Sequence, residues 1–235
     1  MNDRKDSDFQ LYAVFAALFA SVLVLVPSAA SKFIAVGPLA ISGATLIFPI
    51  TFIFNDLLTE VYGFSRSRKI IWTGLGCQVL AAFTYWIVGV WPAAEFWNNQ
   101  AAFDAILGAA PRITLASLSA YFCGEFANSA VLSKMKYWAH GARGIQQSWR
   151  FVASTIVGEA LDSVVFMFVG FLGVIPTDDL LRTIATIWVA KVIYEIVALP
   201  ATTYLANWVK RIEGIDHIDT PQATTYNPFA VFFRE

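Results

Sequence analysis

Seven ionisable side chains stand in or at the ends of strongly apolar stretches of this chain: Asp56, Glu60, Glu125, Glu159, Asp162, Lys191 and Glu195. Their spacing is regular. Asp56 and Glu60 are four residues apart, as are Lys191 and Glu195, while Glu125 precedes Asn128 by three and Glu159 precedes Asp162 by three. On a helix, side chains three or four apart share a face, so four helices can each turn one polar pair towards a common interior. A charge left facing hydrocarbon costs at least ~2.5 kcal/mol, which drives such groups towards one another, a water-filled cavity or a polar ligand. Lys191 can neutralise only one of the six acids, so the remaining carboxylates need protons, water or a ligand that brings donors. Such a set suits recognition and passage of a polar solute. The two cysteines, Cys77 and Cys123, lie in apolar runs and the two histidines, His140 and His217, in polar ones. That pattern offers no disulfide framework, zinc ligand set or His-based triad, so no metal, cofactor or catalytic residue is expected. An intramembrane enzyme using paired carboxylates as acid and base is the weaker alternative, as is a structural protein whose buried charges only pair.

The elements that must carry these pairs are membrane helices. Of 235 residues, 57% are hydrophobic and 14% charged, and the mean hydropathy is +0.60; a soluble domain carries about 25% charged residues. A net charge of -1 gives no field suited to nucleic acid. Six stretches reach the roughly 20 residues needed to cross about 30 Å of hydrocarbon: Phe9 to Ala30, Phe33 to Leu58, Ile70 to Val90, Ile113 to Ser133, Phe151 to Val174 and Leu181 to Val209. They are too long and unbroken for barrel strands, so the expected fold is an all-α integral membrane bundle of six transmembrane helices. The first stretch ends in Pro27-Ser28-Ala29-Ala30, which looks like a cleavage site. Its apolar core is longer than a signal peptide's and Asp3-Arg4-Lys5-Asp6 is only weakly basic, so it is read as a helix.

Basic residues set the orientation. Twelve flank one side (Arg4, Lys5, Arg66, Arg68, Lys69, Lys134, Lys136, Arg143, Arg150, Lys210, Arg211, Arg234) and three the other (Lys32, Arg112, Arg182). Both termini are therefore expected in the cytoplasm, and Trp91, Trp97 and Phe103 in the external connection supply an interfacial anchor. Residues 1–210 form one transmembrane domain in this reading, and 211–235 a cytoplasmic tail without regular structure. The second span carries Gly43 and Pro49, which predicts a kink or break near Pro49. Helices broken at mid-membrane are where transporters expose backbone to substrate. Gly124-Glu125-Phe126-Ala127-Asn128-Ser129 and Gly158-Glu159-Ala160-Leu161-Asp162-Ser163 share the pattern G-E-x-x-[N/D]-S in helices of opposite direction. Their pairing would gather four polar side chains around one axis, with Gly124 and Gly158 allowing close approach.

At these residues the chain resembles the queuosine precursor transporter family, also called the vitamin uptake transporter family. The matching stretches are Gly43 to Pro49, Asn55-Asp56-Leu57-Leu58-Thr59-Glu60-Val61-Tyr62-Gly63, Arg66 to Lys69, and Leu118 to Tyr121 leading into Gly124 to Ser129. They continue with Ser154 to Ser163, Lys191 to Glu195, and Glu213-Gly214-Ile215-Asp216 through Asn227-Pro228-Phe229. The resemblance implies a six-helix inner-membrane importer for 7-deazaguanine bases, the 7-cyano and 7-aminomethyl precursors of a modified tRNA nucleoside. It is also similar in size to the substrate-capturing subunits of energy-coupling vitamin transporters, the first alternative.

That substrate and the residues agree in chemistry. A guanine-like edge offers a ring N–H and an adjacent amino group, which a carboxylate accepts as a bidentate pair, together with a carbonyl that wants a donor. Glu125, Asn128, Glu159 and Asp162 are the candidates for the base edge, Lys191 with Glu195 for carbonyl or charge balance, and Asp56 for substrate or a coupling proton. Phe48 is the stacking candidate, with Tyr121, Phe166 and Trp188 behind it. The expected partners are a purine-like small molecule, the bilayer, a coupling proton and a second copy of the chain, because so small a bundle has little mass for a moving element; Ser154 with Gly158 could pack helices within one chain or between two.

Overall fold

The computed structural model describes residues 9–36, 39–108 and 111–232. Arg4, Lys5 and Arg234 of the charge count lie outside them. Seven α-helices are present among the described residues: α1 (Tyr12–Ala30), α2 (Ala44–Tyr62), α3 (Phe64–Val90), α4 (Gln100–Leu107), α5 (Pro111–Trp138), α6 (Ile145–Phe171) and α7 (Thr177–Glu213). Among the described residues, five stretches are long and apolar enough to cross a bilayer: α1, α3, Gln100–Trp138 with α4 and α5, α6, and α7. The sixth expected span is different. α2 has 19 residues, about 28 Å at 1.5 Å per residue, but its Thr51, Asn55, Asp56, Thr59 and Glu60 are all buried. It touches α1, α3, α5 and α7, so its polar face is turned to protein rather than to lipid.

The inside-out burial completes the case for an all-α, multi-pass membrane protein. Acids, lysines and an arginine are interior, while Leu80, Trp86, Val90, Leu115, Ile193 and Val197 are exposed. A water-facing surface would reverse that arrangement; a lipid-facing one demands it. One apolar cluster, built on Phe15, Phe19, Leu23, Leu57, Leu58, Val61 and Ile71, seals α1 against α2 and α3.

The interruption of the second span falls earlier than Pro49. Phe33–Val36 (β1) and Leu39–Ser42 (β2) form an antiparallel hairpin, with Phe33 opposite Ser42 and Val36 opposite Leu39. The chain then enters α2 at Gly43, and α2 runs continuously through Pro49. Pro49 sits in the second turn, where it removes only the bond to the Thr45 carbonyl. The signal for the hairpin is Gly37-Pro38, a turn dipeptide set in an apolar run that hydropathy alone reads as helix. Helices α5, α6 and α7 also extend about one turn or more past their apolar cores at one end, which carries Lys136, Arg150 and Lys210. The region after Gly214 is mostly irregular, closes in a 3-10 turn at Pro228–Phe232, and is packed onto this basic end rather than trailing free.

Candidate functional site

The site is organised by the α5–α6 hairpin. A Cβ on Gly124 would lie 2.9 Å from the Asp162 Cβ and 3.1 Å from the Gly158 carbonyl; one on Gly158 would lie 2.7 Å from the Asn128 Cβ and 3.0 Å from the Gly124 carbonyl. Only glycine permits helices this close. The two G-E-x-x-[N/D]-S segments therefore cross at their glycines, as their echo predicts, and bring Glu125, Asn128, Glu159 and Asp162 to one level of the bundle.

Neighbouring helices complete that level. From α7, Lys191 Nζ forms an ion pair with Glu159 at 2.7 Å and another with Asp162. The ammonium also lies 4.3 Å from the centre of the Phe48 ring on α2, a cation–π contact rather than a free stacking surface. From α2, Asp56 Oδ1 accepts a hydrogen bond from Asn128 Nδ2 at 2.6 Å. One residue earlier, Asn55 donates to the Glu125 backbone carbonyl at 3.1 Å and accepts from Ser129 Oγ at 2.8 Å. Glu125 and Glu195 are the nearby carboxylates of α5 and α7 that repel charge on Asp56. Every acid proposed from the sequence thus belongs to one constellation drawn from α2, α5, α6 and α7, and Phe48 belongs to it too.

The constellation is unbalanced. Five buried carboxyl groups, Asp56, Glu125, Glu159, Asp162 and Glu195, face one ammonium, which is engaged by two of them. Among the described residues, the buried atoms without a hydrogen-bond partner include, at this level, Asp56 Oδ2, both oxygens of Glu125, both oxygens of Glu195, Asn128 Oδ1 and Ser163 Oγ. An uncompensated buried ion costs several kcal/mol. These acceptors are therefore suited to protons or to a ligand presenting several N–H donors, and Ser163 adds a hydroxyl that can give or accept.

Three of the other aromatic candidates are engaged elsewhere. Tyr121 donates to the Ile71 carbonyl at 2.9 Å, Trp188 to the Ile156 carbonyl at 3.0 Å, and Phe166 packs on Phe171. The sequence reading also missed a polar chain below Asp56, in which Thr59 Oγ1 meets Ser67 Oγ and Ser129 Oγ, each at 3.0 Å. Its signal was the run of small hydroxyl residues beside the acids.

It missed a second, larger network one turn further along α2. Glu60 accepts from Arg150 Nε at 3.0 Å and Nη2 at 2.5 Å, and from Lys210 at 2.6 Å. Lys136 donates to the Glu60 carbonyl, to Asp216 at 2.5 Å and to the His217 carbonyl at 2.7 Å. Lys210 reaches the same Asp216 oxygen at 2.9 Å. Asp219 accepts from the Phe64 backbone N–H at 2.8 Å and from Ser133 at 2.6 Å. Burial opposes charge on Asp216, yet Lys136 and Lys210 outweigh it and hold the carboxyl below its usual range. For Asp219 burial is likewise outweighed, by hydrogen bonds from His217, Ser133 and Phe64. Arg150, Lys136 and Lys210 had entered the sequence reading only as topology charges.

Residues 42–205 match the family described as "Putative vitamin uptake transporter". A curated relative, the "Probable queuosine precursor transporter" of Bacillus subtilis (strain 168), is 28% identical over 156 residues, covering 66% of this chain and 67% of that protein. No solved structure matches. The family and this relative are transporters rather than enzymes. The matched residues run from the hairpin through α2 to most of α7 and so contain every member of the carboxylate constellation: the chain belongs to the vitamin uptake transporter family.

Proposed function

We propose that this protein imports 7-deazaguanine bases, the 7-cyano and 7-aminomethyl queuosine precursors, across the inner membrane through the carboxylate-rich level of the bundle. The observation that carries the reading is the set of buried, unpartnered acceptors on Asp56, Glu125 and Glu195. Their number matches a ligand whose ring N–H and amino group ask for a carboxylate, and the relative named for queuosine precursors supports the same class. Glu125 and Asn128 take the base edge, Ser163 and Lys191 can donate to its carbonyl, and Glu159 and Asp162 position Lys191. An aminomethyl cation would find a second carboxylate in Glu195. In this reading the basic end faces the cytoplasm, and a carboxyl group such as Asp56 that regains its proton when the base leaves would couple transport to protons.

The test is uptake. In cells that cannot make these precursors and lack their own importer, expression should restore accumulation of the modified nucleoside from supplied 7-cyano-7-deazaguanine, and Glu125→Gln should abolish it. Normal accumulation by Glu125→Gln, at equal membrane abundance, would remove Glu125 from the site; no accumulation by the parent chain would remove the substrate assignment.

A further inference from the structure

The basic end is closed by a strap. After α7 the chain turns at Gly214, in the left-handed conformation (φ 62°), and residues 215–219 cross the ends of α2, α3 and α5. The His217 backbone N–H donates to the Val61 carbonyl at 3.1 Å. The His217 ring packs where Gly63 (φ 86°) has no side chain, a Cβ there being 2.3 Å from its Cδ2. Beyond the strap, α3 holds the chain a second time: Arg68 donates to the Thr225 and Asn227 carbonyls at 3.0 and 2.9 Å. Trp72 donates to the Pro228 carbonyl at 2.8 Å and packs against Phe229 and Phe232. The strap is thus tethered at both ends, to α7 and to α3, and between the tethers it is pinned by two carboxylates. Asp216 joins Lys136 of α5, Lys210 of α7 and Arg143 of the α5–α6 connection. Asp219 joins the N-terminus of α3 to Ser133 of α5.

These pins meet the Glu60 network, and Glu60 is one turn from Asp56 on α2, a rise of about 6 Å. The ion pairs therefore clamp α2, α5, α6 and α7 together between the Asp56 level and that face. A solute leaving the carboxylate site towards this end cannot pass while they hold. A packed end held by shared ion pairs has discrete arrangements, made or broken, which suits a two-state element. The strap residues lie beyond the stretch matched to the family.

We propose that residues 215–219 are the inner gate of the transporter, with Asp216 as its releasable pin and the Trp72 clip as the anchor on which the strap swings. The proposal rests on the transport reading above only for the choice of solute and the side called inner.

Two measurements test it in a chain with Cys77 and Cys123 replaced by alanine. First, Thr59→Cys, buried between Asp56 and Glu60, is labelled with a membrane-impermeant maleimide in inside-out vesicles, with and without Asp216→Asn. Release of the pin should speed labelling at least tenfold while the protein stays folded. A strap that only stabilises would lower the melting temperature and leave the labelling rate unchanged, overturning the proposal. Second, Ser133→Cys with Asp219→Cys locks the strap by a disulfide. Uptake of 7-cyano-7-deazaguanine into proteoliposomes should fall below a tenth on oxidation and return on reduction; equal uptake by the oxidised and reduced forms overturns the gate. If the parent chain takes up no deazaguanine, the substrate assignment fails, and the labelling rate, which needs no substrate, still decides the gate.

Discussion

Glu60 and Asp56 are one turn apart on α2 and both are fully buried, yet their surroundings differ in kind. Glu60 is gripped by Arg150 and Lys210, and the acids and bases around it account for one another. Asp56 has one amide hydrogen bond, from Asn128, and its charged neighbours are other carboxylates. A carboxyl group at the same depth of burial is gripped by cations in one place and leaves an oxygen without a partner in the other. What separates them is the supply of donors: the basic end brings Arg150, Lys136 and Lys210 to its acids, and the carboxylate level has one lysine already engaged by Glu159 and Asp162. Unsatisfied buried groups in a folded protein ask for an explanation, and the proposed ligand site supplies one.

Breaking the paired end should give the largest effect on stability. Arg150→Met leaves Glu60 buried with fewer donors, and losing one partner of a buried pair costs about 3–5 kcal/mol; the check is thermal unfolding in detergent. Gly158→Ala comes next. Its Cβ would press on Asn128 and on the Gly124 carbonyl, an overpacking cost of about 1–3 kcal/mol, and by spreading α5 from α6 it should also weaken ligand binding.

pH sharpens the contrast. The carboxyls of Asp216 and Asp219 are held below their usual range, so the stability they contribute is complete above about pH 4. It is lost as pH falls through the lowered folded-state values. Asp216→Asn, which removes the partner of Lys136, Lys210 and Arg143, should therefore melt below the parent by a constant margin from pH 5 to 8, and the margin should close in stronger acid. A margin that changed between pH 6 and 8 would contradict the assignment. The smallest effect on stability is expected at the unpaired level. Glu195→Gln removes a charge that lacks a partner, so its melting temperature should match or exceed the parent's, while uptake falls.

Much of the carboxylate level was legible in the sequence because helical spacing is local. Three- and four-residue steps put each pair on one face, and the repeated G-E-x-x-[N/D]-S marked the crossing of α5 and α6. The ion network was not legible, because its partners are distant in the chain: Arg150 is 90 residues from Glu60 and Lys210 is 150, and nothing local says which basic residue at that end finds which acid. The same network explains the helix ends. Hydropathy stops where charges begin, at Ser133, Phe151 and Val209, but α5, α6 and α7 continue because Lys136, Arg150 and Lys210 are satisfied by ion pairs. The hairpin at Phe33–Ser42 was hidden for the opposite reason. Its residues are as apolar as a helix, and only Gly37-Pro38 distinguished them.

The central claim is that the unpaired carboxylates are a ligand site, and its most direct test is thermal stabilisation of the purified protein. The candidate ligands are 7-cyano-7-deazaguanine, 7-aminomethyl-7-deazaguanine, guanine and biotin, each compared on the parent, Glu125→Gln and Asp162→Asn. A ligand at 100 times its Kd stabilises the folded state by about 2.7 kcal/mol. The account predicts that a deazaguanine raises the melting temperature of the parent, that biotin does not, and that the shift disappears in both variants although they remain folded. A folded parent that no deazaguanine stabilises, or a shift of the same size in both variants, would contradict it.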